Sequence, residues 1–286
     1  MNLTNIFVSI VSKASRFMIH DFFEISRMND QFSDVEKFFL SSYRKIGTEI
    51  QNHISEIIPN SNIIIEKKID MINRFFDFSS GFEGKKSISE IAKEMQINDT
   101  KESQIDTLNI KVFPMNGCLS FIKSSDDCSI SIFSVDNDGN TDYGIVSNPI
   151  SKDTFIISPE SIYLNDTKIK ARENISKILS IAVIGKSCFF SKLTYPLIKT
   201  SSFVDTSYDV HLSLLGIISG KYDFVIHEGI DMNYYSNIIS SIAKHGCIIY
   251  DIASATEIKE YSGRSGIVII STRNKINQIK KAKILE

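Results

Sequence analysis

Apolar residues recur at helical spacing near the start of the chain, at Leu3, Ile6, Phe7, Ile10, Val11, Ala14, Phe17 and Met18. That stripe predicts an amphipathic helix to about Ile25. A polar break at Asn29 to Ser33 follows, and Ser33-x-x-Glu36 has the form of a capping box. Val35, Phe39, Ile46, Ile50, Ile54 and Ile57 then carry a second helical stripe to a stop at Pro59. From there the period shortens. Asn62 to Glu66 reads as a short buried strand ending in an acid, and Leu108 to Val112 as a β segment. The latter runs into a Pro-x-Asn-Gly turn, where Pro114 fixes φ and Gly117 tolerates angles other residues resist. Ser129 to Val135 alternates, Asn137-Asp138-Gly139-Asn140 turns and Tyr143 to Val146 returns, a hairpin pattern. Thr154 to Ile157 and Ser161 to Leu164 predict two more strands, with a turn at Asn165-Asp166. Strands in such close succession predict an antiparallel sheet.

Beyond about Ile175 helices and strands alternate. Strands are expected at Ile178 to Ile184, Ser202 to Val204, Tyr222 to His227, Cys247 to Ile252 and Ile267 to Ile270. Helices are expected at Phe189 to Ile198 (broken at Pro196), Tyr208 to Ile218, Asp231 to His245 and Lys275 to Leu285. This rhythm is that of an α/β layer. Between the two patterns, residues 67–107 are aromatic-rich and then polar, with Ser87-x-x-Glu90 capping a short helix through Met95.

Composition narrows the function classes. With 286 residues, 42% hydrophobic, the chain can bury a full core, and a net charge of −2 gives no electrostatic reason to expect nucleic acid. The basic residues Arg273, Lys275, Lys280, Lys281 and Lys283 are read as the solvated face of a terminal helix. No P-loop, G-x-G-x-x-G, H-E-x-x-H or G-x-S-x-G motif occurs. Cys118, Cys128, Cys188 and Cys247 are far apart in sequence and read as free thiols. The five histidines lack ligand spacing and read as surface or capping residues. No apolar run approaches the ~20 residues of a membrane helix, and polar residues interrupt the N-terminal stripe, so a cytoplasmic protein is expected.

One stretch carries candidate chemistry. Phe113-Pro114-Met115-Asn116-Gly117-Cys118, followed by Phe121, resembles the Asp-Pro-Ile/Leu-Asp-Gly-Thr turn of the inositol monophosphatase family, with both aspartates replaced. The similarity continues through Cys128-Ser129-Ile130-Ser131-Ile132, Gly144-Ile145-Val146-Ser147-Asn148-Pro149, Thr154-Phe155 and Leu164-Asn165-Asp166. Near the C-terminus Met232-Asn233 stands for the family's Trp-Asp, and Lys244-His245-Gly246 for its Ala-Gly-Gly. The resemblance implies an α/β layered sandwich. Its N-terminal α+β half, with an antiparallel sheet, would span residues 1–173, with an insertion at 67–107 beside the mouth of the site. Its C-terminal α/β half would span 174–286.

In that family Mg²⁺ neutralises phosphate oxygens, activates a water and stabilises the leaving alkoxide, and carboxylates hold it. Carried over residue by residue, Glu66 matches the family's strand-end Glu, with Lys67 where a second acid is usual. Phe113 and Asn116 stand for the turn aspartates, Cys118 for the Thr and Asn233 for the last Asp. Tyr43 stands for an Asp on the second helix, with Lys37 and Leu40 at polar family positions. The resemblance thus implies a substrate pocket of Asn116, Gly117, Cys118 and Asn233. It implies vestigial metal positions at Glu66, Asn116 and Asn233, with Cys118 and Glu66 as vestigial catalytic positions and no cofactor. The expected function is a catalytically inactive or strongly impaired homologue with a binding or regulatory role, as a homodimer, with a protein partner or with a small phosphorylated metabolite. The alternative is an active Mg²⁺-dependent phosphatase of inositol phosphates or nucleotide 3′-phosphates. It would recruit ligands from Asp70, Asp106, Asp126, Asp127, Glu228 or Asp231.

Overall fold

The computed structural model describes residues 3–28, 32–66, 108–136, 141–185 and 187–282. The expected insertion at 67–107, the hairpin turn at 137–140 and the side chains of the Ser33–Glu36 capping box lie outside the described residues.

Helices α1 (Leu3–Ile25) and α2 (Phe32–Ile57) pair along the two predicted stripes. They cover one face of a seven-stranded sheet in strictly sequential order: β1 (Ser61–Ile65), β2 (Leu108–Asn116), β3 (Ser129–Val135), β4 (Thr141–Asn148), β5 (Asp153–Ile157), β6 (Ile162–Leu164) and β7 (Thr167–Ile169). The short helix α3 (Cys118–Ile122) leaves the end of β2. All neighbours pair antiparallel except β1 and β2, which run parallel. The strands from β3 onward form the expected antiparallel sheet, whereas β1 is an edge strand whose Ile64 is 41% exposed rather than the expected buried strand.

A second sheet has the order β12-β11-β13-β10-β8-β9, from β8 (Ser180–Ile184), β9 (Phe203–Thr206), β10 (Phe224–Glu228), β11 (Cys247–Asp251), β12 (Thr256–Ile258) and β13 (Ile267–Thr272). Its helices are α4 (Ser187–Phe190), α5 (Tyr195–Thr200), α6 (Val210–Ser219), α7 (Ser236–Lys244) and α8 (Arg273–Lys281). Pro196 does not break a helix. It sits in the first turn of α5, where a missing N–H costs nothing. Strands β7 and β12, too short for a periodic signal, were not expected.

Both sheets are buried on both faces, so alternate residues of one strand enter different cores. Ile130 and Ile132 pack under α1 and α2, while Phe133 and Val135 face the middle core. In the second sheet Val225, Ile249 and Ile270 face that same middle core, whereas Phe224, Ile248 and Ile269 face α4, α5 and α8. Helices α6 and α7 fill the layer between the sheets. The result is a five-layer αβαβα sandwich.

Candidate functional site

Strand β2 ends in the turn that opens α3. Its register against β3 shifts between Phe113 and Asn116, around Pro114, which has no N–H to donate. Gly47 of α2 leaves room for the Pro114 ring: a Cβ there would lie 3.2 Å from Cγ of the proline. Gly117 has φ +67, and a Cβ would collide with the Asp127 carbonyl oxygen and lie 3.1 Å from Cβ of Asp209. Only glycine meets both demands.

The turn's Asn116 is buried and committed inward. Its Nδ2 donates to Ser131 Oγ at 2.9 Å and Ser129 Oγ at 3.3 Å. Ser129 donates in turn to Asp209 Oδ2 at 2.6 Å, and Ser131 Oγ lies 2.8 Å from His211 Nδ1. Asp209 is the N-cap of α6, its Oδ1 accepting the Leu212 N–H at 3.0 Å. One polar network therefore ties the β2 turn to the head of α6. His211 and His227 are buried, which corrects their expected surface or capping placement.

Phe113 belongs to the middle core. Its ring meets His211 edge-on at 4.7 Å, Tyr234 at 5.3 Å and Phe133 at 5.8 Å. Glu66, just past β1, lies 3.8 Å from Lys111 Nζ, and its carbonyl accepts a hydrogen bond from the Tyr43 hydroxyl. The parallel register, with Ile64 opposite Lys111, makes that proximity. Burial raises the Glu66 carboxyl above its usual range, Lys111 opposes the shift and the charge of Asp231 adds to it.

Asp231 is thus the carboxylate that Glu66 feels, while Asn233 is exposed two residues on. The expected helix from Asp231 begins only at Ser236, because Asp231 to Tyr235 form a turn. In it Asp231 Oδ1 accepts the Tyr234 N–H at 3.0 Å, and Oδ2 lies 3.8 Å from Arg264 Nε. Burial pushes the Tyr234 phenol well above its usual value, and the neighbouring groups adding to the shift are Tyr43, Cys118, Glu66 and Asp209. The contacts of Tyr234 are its ring on Phe113 at 5.3 Å and on Tyr235 at 4.8 Å.

Among the other acids considered, Asp126 is exposed, and Asp127 accepts from Ser207 Oγ at 2.6 Å and the Tyr208 N–H at 2.8 Å. Glu228 packs over Gly185, and Asp70 and Asp106 lie outside the described residues. Cys118 is half-buried, its Sγ 3.5 Å from the Met115 carbonyl, and Cys128, Cys188 and Cys247 are buried free thiols. Among the described residues no group of three or more His, Cys, Asp and Glu side chains is placed to hold a metal. Mg²⁺ wants about six hard oxygens. Glu66 faces the Lys111 ammonium at 3.8 Å, the Asn116 amide is engaged as a donor to Ser131 and Phe113 is packed against Tyr234, so these three positions do not together offer the oxygen set of Mg²⁺. Sequence reasoning did not single out Tyr234, His211 or Asp209. Asp209 alone had a local signal, an aspartate immediately before an apolar helical run.

Sequence comparison finds neither a matching family model nor a matching curated protein. The fold is plain from solved structures. The extragenic suppressor protein suhB of Bartonella henselae is 15% identical with a TM-score of 0.67, over 100% of this chain and 98% of that one. An IMPase of Thermotoga maritima is 15% identical at TM-score 0.65, over 97% and 94%. Inositol monophosphatase II of Staphylococcus aureus is 14% identical at TM-score 0.63, over 99% and 95%. The chain is a layered α/β protein, and its architecture is the inositol monophosphatase fold.

Proposed function

We propose that this chain uses an inositol monophosphatase fold for binding or regulation and does not turn over phosphate esters. The observation that carries this reading is the Phe113 ring, which packs against His211 and Tyr234 at the turn position where the resemblance calls for a carboxylate. An apolar ring there offers no donor to a cation, and a lysine ammonium faces Glu66 at 3.8 Å. Calorimetry with Mg²⁺ and a phosphate-release assay on a panel of monoesters test it. No saturable heat and no release are expected, whereas Mg²⁺-dependent turnover abolished by Glu66→Ala overturns the reading. The electrostatic coupling of Glu66 to Asp231 favours one competitor, a phosphatase with these two carboxylates as non-standard ligands, and the same assay decides it.

The partner in this reading is a second copy of the chain or another protein. The sheet edge at β9 supports it, with Phe203 and Val204 exposed and Ile178, Phe190 and Tyr195 exposed nearby in sequence. Sedimentation at micromolar concentration is expected to give a dimer, disrupted by Phe203→Glu. We place the boundary between halves at residues 173 and 174, between the two sheets, and the protein in the cytoplasm. Among the described residues no helix is long and apolar enough to cross a membrane.

A further inference from the structure

Folding hides most large apolar side chains, yet the turn that joins α4 to α5 displays three of them. Phe190 is 87% exposed, more than any other large hydrophobic side chain among the described residues, with Leu193 at 43% and Tyr195 at 53%. The turn is tightly held. Thr194, between them in sequence, is buried and its hydroxyl donates to the Cys188 carbonyl, while Cys188 and Leu197 anchor the two ends in the outer core. The Leu193 N–H donates to Ser191 Oγ at 3.2 Å, and the Thr194 and Tyr195 N–H groups donate to the Ser191 carbonyl at 3.2 and 3.0 Å. Pro196 has no N–H. Positions 193–196 can therefore leave water without stranding a backbone donor.

Charge sets the same layer apart. Residues 174–204 and 271–285, which include α4, α5 and α8, contain no Asp or Glu, in a chain where acidic residues outnumber Lys and Arg by 34 to 32. Lys177, Lys192, Lys199 and Lys281 stand exposed there. We propose that this outer layer docks on an anionic lipid surface, with the Phe190–Tyr195 turn inserted at the interface. Phe190 and Leu193 enter the acyl boundary, Tyr195 sits at the headgroup level and the lysines meet the lipid phosphates. Capture of an extended peptide as an added strand takes backbone donors, which this turn has already used, so the turn suits lipid better than peptide. The proposal is separate from dimerisation at β9. Phe190 and Tyr195 belong to α4 and α5, whereas Phe203 belongs to the edge strand, and phosphate turnover does not enter the test.

Co-sedimentation of the full-length protein with vesicles decides it, using phosphatidylcholine alone or with about a third phosphatidylglycerol. The wild type is expected to bind the anionic vesicles at least about tenfold more tightly than the neutral ones and to be released by about 0.5 M salt. Phe190→Ser with Leu193→Ser is expected to weaken binding at least about tenfold. Lys192→Gln with Lys199→Gln is expected to weaken it about 25-fold, or about fivefold for each lysine removed. All four side chains are exposed, so both double variants should keep the wild-type melting temperature, which separates lost docking from lost folding. No binding to anionic vesicles, equal binding to neutral ones, or binding that survives the Phe190 and Leu193 changes overturns the proposal. Polyuridylate bound as tightly as the vesicles, by wild type and Phe190–Leu193 variant alike, would make the layer a general polyanion face and overturn the lipid assignment.

Discussion

The ammonium of Lys275 lies 3.0 Å from Oδ1 of Asp223, and neither side chain reaches water. Lysine in the first turn of a helix opposes the macrodipole, so its place at the head of α8 depends on the aspartate. Asp223 also accepts N–H bonds from Ser176 and Ser180, each at 3.1 Å, and the Ser176 hydroxyl. One carboxylate thus joins α8, β8 and the segment before β8. Lys275→Ala, which strands that carboxylate, is expected to cost about 3–5 kcal/mol in urea denaturation. A loss under about 1 kcal/mol would mean that the serine and backbone donors suffice alone.

Asp223 and Glu66 shift in opposite directions, which fixes the signs of two pH limbs. Burial would raise Asp223, but its Ser176, Ser180 and Lys275 donors outweigh burial and hold it below the usual value. Its contribution is present above the ordinary aspartate range and is lost as pH falls through the lowered value. Glu66 is raised by burial, so the folded state holds its proton more tightly. Its stabilisation is present at low pH and is lost as pH rises from the ordinary glutamate range through the raised value. Melting temperatures between about pH 3 and about pH 7 are expected to lose the acid limb in Asp223→Asn and the upper limb in Glu66→Gln. An unchanged upper limb in Glu66→Gln would show that Glu66 is not the group responsible.

Gly117 and Gly246 separate steric collision from backbone strain. Both have positive φ, but a Cβ at Gly246 meets nothing within 4 Å, whereas one at Gly117 strikes the Asp127 carbonyl. Gly246→Ala should cost about 1 kcal/mol from strain alone. Gly117→Ala should cost at least about 2 kcal/mol more, because the loop of Asp127 and the network of Asp209 must move. Equal losses in chemical denaturation would mean that this loop yields freely.

Most of the fold was legible because both sheets are buried on two faces, so Ile130 to Val135 and Cys247 to Ile252 stand out as apolar runs between turn residues. The site was legible only where local backbone chemistry determines it. Pro114 and Gly117 announce their turn, and Asp209 announces a helix start. Tyr234 announces nothing: one tyrosine beside another in a turn has no period, and its burial is set by elements far away in sequence. The Lys111–Glu66 pair was hidden for the same reason, since it follows from the parallel register of β1 and β2. The late start of α7 came from Asp231, whose side chain takes the Tyr234 N–H and holds a turn where apolar periodicity predicted helix.

Phe113→Asp puts the proposed loss of metal chemistry to a test of stability. The substitution restores the carboxylate that the family motif has, but sets it among the rings of His211, Phe133 and Tyr234. A buried carboxylate without a compensating cation, together with the lost ring contacts, should cost more than about 3 kcal/mol. If the surroundings cannot complete a cation site, millimolar Mg²⁺ leaves that loss unchanged. If Glu66 and Asp231 can close around the ion with the new aspartate, Mg²⁺ stabilises the variant by RT ln(1 + [Mg²⁺]/Kd), about 2.7 kcal/mol at a hundred times Kd. Melting the variant with and without Mg²⁺, against Phe113→Asn as the uncharged control, distinguishes the two. The expected result is no Mg²⁺-dependent recovery, and recovery confined to the aspartate variant would establish that one carboxylate at position 113 suffices to create a cation site here.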